Sequence, residues 1–292
     1  MNNEIKEKNM IETAILVLLY NKEVSESNTL ISLTESEIQF PNAKLVIWNN
    51  GPKSLKCCDK KIFEELGYDV VFVETLNNES LAVIYNRFLA ENNAEKYILL
   101  DDDSVLNAAY ITASSKCNAA EIGMPIISSL GKVRSPSIGN KPYSPRLVLD
   151  EKCKIIAIGT GLVIGANICS NLHQYYKNVF DERFYLYGVD TTFCIRLFER
   201  KLIGSVNIIS GFNHSLSRLE NESVKTTNFR RIERSYDQGL TLRYYYPLLT
   251  GIFYLLRFTA STLKRMIFKQ TYTLNIIHMF KAFLYGKHRR QL

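Results

Sequence analysis

Three consecutive carboxylates, Asp101, Asp102 and Asp103, close the apolar run Tyr97–Leu100 in the stretch YILLDDDSVL. Adjacent carboxylates repel one another unless a positive charge sits among them. A hard divalent cation that also holds phosphate oxygens meets that need. In extended backbone Asp101 and Asp103 point to one side and Asp102 to the other, so one pair can face a ligand while the middle residue is held elsewhere. A DxD pattern alone also describes ordinary surface loops. Two further titratable groups, Asp190 in YGVDTTFCIR and His214 in NHSLS, lie downstream. Each has a plain structural reading, Asp190 as the cap of a helix starting near Thr191 and His214 as a strand-end histidine.

The elements that must carry these groups alternate in type. Ile15–Tyr20, Leu45–Trp48, Val70–Val73 and Tyr97–Leu100 are short apolar, β-rich runs, which predicts strands. Helices are predicted at 26–39, 59–66 and 81–92; in the last, Leu81, Ile84, Tyr85 and Phe88 recur at helical spacing behind Ser80. Such βαβ alternation implies an α/β fold with a mainly parallel sheet flanked by helices, and sites at the carboxyl ends of the strands. Those ends are polar: YNKE, WNNGP and DDDS. Neither GxGxxG nor a Walker-A loop occurs, so phosphate must be handled another way. The proline-bearing region 120–152 reads as strand edges and loops. IIAIGTGLVIGANIC reads as β-like, its GTG either a plain bend or a backbone lining a site. DERFYLYGVDTTFCIRLFERK reads as a loop feeding a helix, and GSVNIISGFNHSLS as a late strand ending at His214. Arg196 and Arg200 read as a solvated helix face or a diphosphate contact, and His173, His278 and His288 as surface or tail residues.

The 292 residues suffice for one large domain or a domain with an appendage. An apolar fraction of 46% with 22% charged residues belongs to a globular chain. Six scattered cysteines, without CxxC or zinc spacing, read as reduced thiols in a cytosolic compartment. The run AILVLLY reads as a first strand and not a signal peptide, and no stretch reaches the ~18 apolar residues of a membrane span. The net charge is +7, and nine bases with no acid lie from Gln238 onward, leaving residues 1–237 at −2. The division expected is therefore a catalytic domain over 1–237 and a basic, aromatic helical tail over 238–292. Basic amphipathic helices of this composition lie in the interface of anionic membranes; packing on the catalytic domain or on a second subunit, as in a homo-oligomer, is the alternative.

In motif and order the chain resembles the family 2 inverting glycosyltransferases of the GT-A fold, more narrowly the bacterial rhamnosyl- and galactofuranosyltransferase-like members that build surface polysaccharides. The resemblance rests on YILLDDDS, FDERFYLYGVDTTFCIRLFERK and NHSLS, with LLYN, WNNG and NNESLAVIYNRFL in support, over roughly residues 10–235. It implies a Rossmann-like GT-A domain, a UDP- or dTDP-sugar donor and a lipid-linked O-antigen or capsule-type acceptor. It further implies an enzyme at the inner face of the cell membrane. It assigns Asp101 to the uridine or ribose side of the donor, and Asp103 to Mn²⁺ or Mg²⁺ with His214 completing the protein ligands. Asp190 becomes the general base, and Tyr20, Asn21, Asn49, Asn86 and Asp102 belong to the nucleotide-sugar pocket. The family usually has Asp where Asn49 stands; Asn49 and Asn50 could equally be turn formers and Asn86 a cap or packing residue. The chemistry independently asks for such groups, because sugar transfer needs the departing diphosphate neutralised and one carboxylate on the opposite face. A metal-dependent nuclease or phosphotransferase is the competing enzyme class. Its nucleic-acid partner is disfavoured, since the bases are interleaved with bulky apolar residues instead of lining a polar groove. An inert membrane-bound scaffold of the same fold is the third class.

Overall fold

The computed structural model describes residues 10–139, 141–145, 149–214, 224–270 and 274–291. Residues 215–217 of NHSLS, the acidic and basic residues 1–9, and part of the proline-bearing loop lie outside these ranges. The first four strands are β1 (Ile11–Leu19), β2 (Ala43–Asn49), β3 (Asp69–Glu74) and β4 (Ala94–Asp101), each extending the predicted run by a few residues. Between them lie α1 (Asn28–Glu35), α2 (Lys61–Glu65) and α3 (Leu81–Glu91). Then follow β5 (Ser104–Val105), α4 (Ala108–Ser115) and β6 (Ile122–Pro125). Short strands fill the proline-bearing region: β7 (Ile127–Ser129), β8 (Lys132–Ser135), β9 (Ser137–Ile138), β10 (Lys141–Pro142) and β11 (Ile155–Ile156). The main sheet region closes with β12 (Leu162–Gly165), α5 (Ala166–Tyr176), α6 (Val189–Glu199), β13 (Val206–Ile209) and β14 (Asn213–His214).

The main sheet has the order β13-β6-β12-β4-β1-β2-β3. β1 pairs parallel with both β2 and β4, and β12 alone runs against its neighbours. The chain builds outward from β1 to β3 and then returns to place β4 on the other side of β1. That reversal opens a crevice at the carboxyl ends of β1 and β4, where α/β sheets place ligands. Both faces are covered: Ala14, Leu16, Tyr97 and Leu99 enter one core, and Ile15, Val17, Ile98 and Leu100 the other. Continuous apolar runs are what a sheet buried on both sides requires. The same alternation carries Asp101 toward the α3 and α6 side.

Three helices follow: α7 (Val224–Tyr244), α8 (Leu248–Ile267) and α9 (Ile276–Tyr285). α7 runs without a break past position 237, and its Tyr236 and Leu240 belong to the main core. A side chain at Gly239 would meet the backbone oxygen of Met279, so α7 and α9 touch nearly backbone to backbone. Two sequence readings need correction here. The β-like reading of IGANIC ends at Gly165, where α5 begins. His288 is no surface residue: it is 2% exposed and stands 3.1 Å from the buried carboxylate of Glu233.

Candidate active site

β4 delivers Asp101 to the crevice and a tight turn follows, so Asp101, Asp102 and Asp103 diverge. Asp102 turns to the β1 end, where Lys22 Nζ meets its Oδ1 at 2.6 Å and the Tyr20 amide donates to its Oδ2 at 3.3 Å. Lys22 is thus the cation that the chain itself places among the three carboxylates. Asp103 faces the other way. β14 pairs antiparallel with β5, which sets His214 opposite Ser104 and brings its Nδ1 to 3.2 Å from Asp103 Oδ1 and 3.3 Å from Ser104 Oγ. Asp101, Asp103 and His214 each offer a ligand atom within 4.8 Å of the others.

The electrostatics describe a site short of positive charge. Burial, reinforced by repulsion from Asp103, Asp102 and Asp190, pushes the Asp101 carboxyl up to about 8. Burial raises Asp103 as well and depresses His214. The buried Oδ1 of Asp103 has no hydrogen-bond partner among the described residues. Two hard oxygens and an imidazole, crowded and unsatisfied, fit a divalent cation of the Mn²⁺ or Mg²⁺ kind. Asp101 therefore offers a ligand atom alongside Asp103 and His214.

Asp190 reaches the same crevice from another direction. Gly188 precedes α6 with φ +82°, and any side chain there would collide with Asp237 of α7 and with Phe184. Glycine is required by conformation and space together. Asp190 lies inside the first turn of α6 and does not cap it; its Oδ1 accepts from the Thr191 amide at 2.7 Å. Burial raises its pKa, opposed by hydrogen bonds from Thr191, its own amide and Gly159. The segment Gly159–Thr160–Gly161 joins the two halves of the site. Gly159 directs its amide at Asp190, Thr160 Oγ1 accepts from the Asp101 amide at 3.0 Å, and the Gly161 amide donates to Leu99 at 2.6 Å. GTG is the splice between acidic strand and lone carboxylate, more than a bend.

Tyr20 and Asn21 stand at the carboxyl end of β1, the Tyr20 side chain exposed and Asn21 at φ +53° with its amide bonded to Gly51. Asn49 is 1% exposed and committed locally: its amide nitrogen donates to Lys53 O at 2.7 Å and to Glu74 Oε1 at 2.8 Å, and its oxygen accepts from Gly51. An Asp here would set a second carboxylate against Glu74, which accounts for the amide. Asn86 is likewise drawn away from the crevice. It donates to Phe180 O and Glu182 Oε1 and accepts from the amides of Val179 and Phe180, so all its capacity goes to holding the loop before α6. Arg196 is not solvated: it is 3% exposed, 3.3 Å from Asp181, and bonded to Asn178, Val179 and Tyr245. Sequence reasoning passed over Lys22 and Thr160. For Lys22 the signal was its place one residue beyond LLYN; for Thr160 it is purely spatial.

No family model and no curated protein matches the sequence. Solved structures do. GalNAc-T7 with UDP, GalNAc and Mn²⁺ superposes with a TM-score of 0.51 at 13% identity, over 82% of this chain and 52% of that one. Residues 1–349 of S. aureus TarS give 0.48 at 12% identity, over 80% of this chain and 64% of that one. Their complex with UDP gives 0.47 at 13%, over 78% and 65%. The chain spans less than two thirds of the length of these neighbours. The strand order, the reversal crevice with its acidic strand end, and the likeness to GalNAc-T7 come together in one architecture: the chain has the GT-A glycosyltransferase fold.

Proposed function

We propose that the protein is a metal-dependent inverting glycosyltransferase of the family 2 type. It moves a sugar from a UDP- or dTDP-linked donor to a hydroxyl of a lipid-linked O-antigen or capsular acceptor. The observation that carries this reading is the meeting of the Asp101–Asp103–His214 group with the separate carboxylate of Asp190 across Gly159–Thr160. Asp103 and His214, joined by Asp101, would hold Mn²⁺ or Mg²⁺. A divalent ion bound there supplies the charge that a departing diphosphate needs. Asp190 accepts the proton of the incoming hydroxyl. Because it stands apart from the three-ligand group, it can act from the face opposite the leaving group, and no nucleophilic carboxylate is required. The exposed Tyr20 ring offers the base a stacking surface, Asn21 closes the pocket wall, and Asp102 orders both through the Tyr20 amide and Lys22. The UDP, GalNAc and Mn²⁺ of GalNAc-T7 support this class of donor and ion.

The same proposal places the protein on the inner face of an anionic membrane, beside a lipid-linked acceptor. Leu249, Phe253, Leu256 and Ile267 of α8 are exposed, with Arg257, Lys264 and Arg265 among them. Among the described residues no helix is long and apolar enough to cross a membrane. Incubation with Mn²⁺ and a panel of UDP- and dTDP-sugars tests the activity. Metal-dependent release of UDP or dTDP from one donor is expected; nicking of DNA or RNA without such release would establish the nuclease instead.

A further inference from the structure

We infer that the hydroxyl of Tyr85 and the bare backbone of Gly159 form the subsite for the transferred sugar, with Tyr85 donating a hydrogen bond to one of its hydroxyls. The inference rests on the nucleotide-sugar reading and adds to it residues that no motif marks. Tyr85 lies on α3, 5% exposed, its ring edge-on to Phe180 at 5.1 Å, and Phe180 stacks in turn on Phe193 of α6. The ring is locked, yet its hydroxyl has no hydrogen-bond partner among the described residues, whereas that of the fully buried Tyr110 donates to Gly161 O at 3.0 Å. The oxygen itself is not one of the fully buried unpartnered atoms, so it is open to a ligand.

The unspent hydroxyl points to where the chemistry converges. A Cβ placed on Gly159 would lie 3.7 Å from Asp190 Cβ and 4.0 Å from Tyr85 Oη, ordinary contact distances with nothing nearer. Gly159 thus leaves room for a methyl-sized group that would touch both Asp190 and the phenol. The charges of Asp101 and Asp190 both reach the phenol and, after burial, help keep it protonated and able to donate. Asp101 belongs to the ligand group on the diphosphate side and Asp190 to the acceptor side. What lies between them is the ring in transit, a neutral polyol whose hydroxyls can accept from Tyr85. Gly159 is not held by a left-handed backbone, so a methyl there would act by filling space.

The test uses the full chain, its Tyr85→Phe and Gly159→Ala variants, and calorimetric titration with Mn²⁺ plus either UDP or the UDP-sugar that the wild type turns over fastest. Phenylalanine keeps the packing on Phe180, so melting temperature and UDP affinity should stay within about twofold of wild type. UDP-sugar affinity and kcat/KM should fall about tenfold in Tyr85→Phe, and Gly159→Ala should weaken the UDP-sugar but not UDP. Unchanged UDP-sugar affinity in both variants would overturn the subsite, as would equal loss of UDP and UDP-sugar. If the wild type binds no nucleotide at all, the parent reading falls first, and the subsite with it.

Discussion

In the proposed reaction Asp190 can take a proton only when ionised, and burial lifts its pKa above the ordinary carboxylate value of ~3.9. Turnover should therefore fall as pH drops through that raised pKa, and the acid limb of kcat/KM should sit above the usual carboxylate range. Asp190→Asn should lower kcat by about 10²- to 10⁴-fold and erase the limb, while calorimetry shows donor affinity unchanged. A variant with wild-type kcat would remove the residue from the reaction. Asp101, Asp103, Asp190 and His214 were singled out in the sequence through the combination of YILLDDDS, YGVDTTFCIR and NHSLS that carries the family resemblance, since a DxD alone also describes ordinary loops. Arg196 and His288 were misread, and Asn86 stood open between pocket and packing, for a common reason. A polar side chain at a half-buried helical position can serve a ligand or an orphaned backbone, and only the fold says that residues 179–182 and Glu233 needed them.

Strands and helices around β1 to β4 were legible because each apolar run is short, β-branched and bounded by polar residues. The start of α5 was not, since in IGANIC the single polar residue, Asn167, sets no helical period among small and apolar neighbours. Nor could any local pattern reveal the two-residue pairing of β14 with β5 that positions His214. Two elements carry their own predictions. At the β2 end, Asn49→Asp should set like charges across the 2.8 Å contact with Glu74 and cost about 1–2 kcal/mol. Urea unfolding should show the deficit at pH 7 and a smaller one in acid, once Glu74 is protonated. Ahead of α6, Asp181 is buried with Arg183, Arg196 and the Tyr245 hydroxyl. Burial opposes its charge, but these partners outweigh burial and hold its pKa below the usual range. Its contribution to stability is thus present above the unfolded carboxylate pKa and lost as pH falls through the lower folded value. Asp181→Asn leaves Arg196 charged, buried and uncompensated, and should cost about 3–5 kcal/mol at pH 7, read as a lower urea midpoint. An unchanged midpoint would mean the arginine finds other company.

The tail was expected to begin at position 238, but α7 carries Leu240 into the main core and Tyr245 to Asp181. Removing it would unmake the body it leans on, so its role is best probed by substitution. Leu249→Ser, Phe253→Ser and Leu256→Ser together should leave donor turnover in solution intact and abolish flotation with vesicles rich in phosphatidylserine. Equal flotation of variant and parent would dismiss the membrane surface. Residues 288–291 fold back onto the loops before α3 and α6: Arg290 donates to Asn78 O, Gln291 to Glu182 O, and His288 stacks on Tyr185 at 5.1 Å. The grouping of Asp101 and Asp103 with His214 spans the chain in a comparable way, since Ser104 and His214 are 110 positions apart. An ion seated there acts as a removable rivet through the centre of the fold. Heat resistance should consequently climb with Mn²⁺ concentration, by about 2.7 kcal/mol at a hundredfold excess over Kd. Asp103→Ala should melt at one temperature whatever the buffer holds.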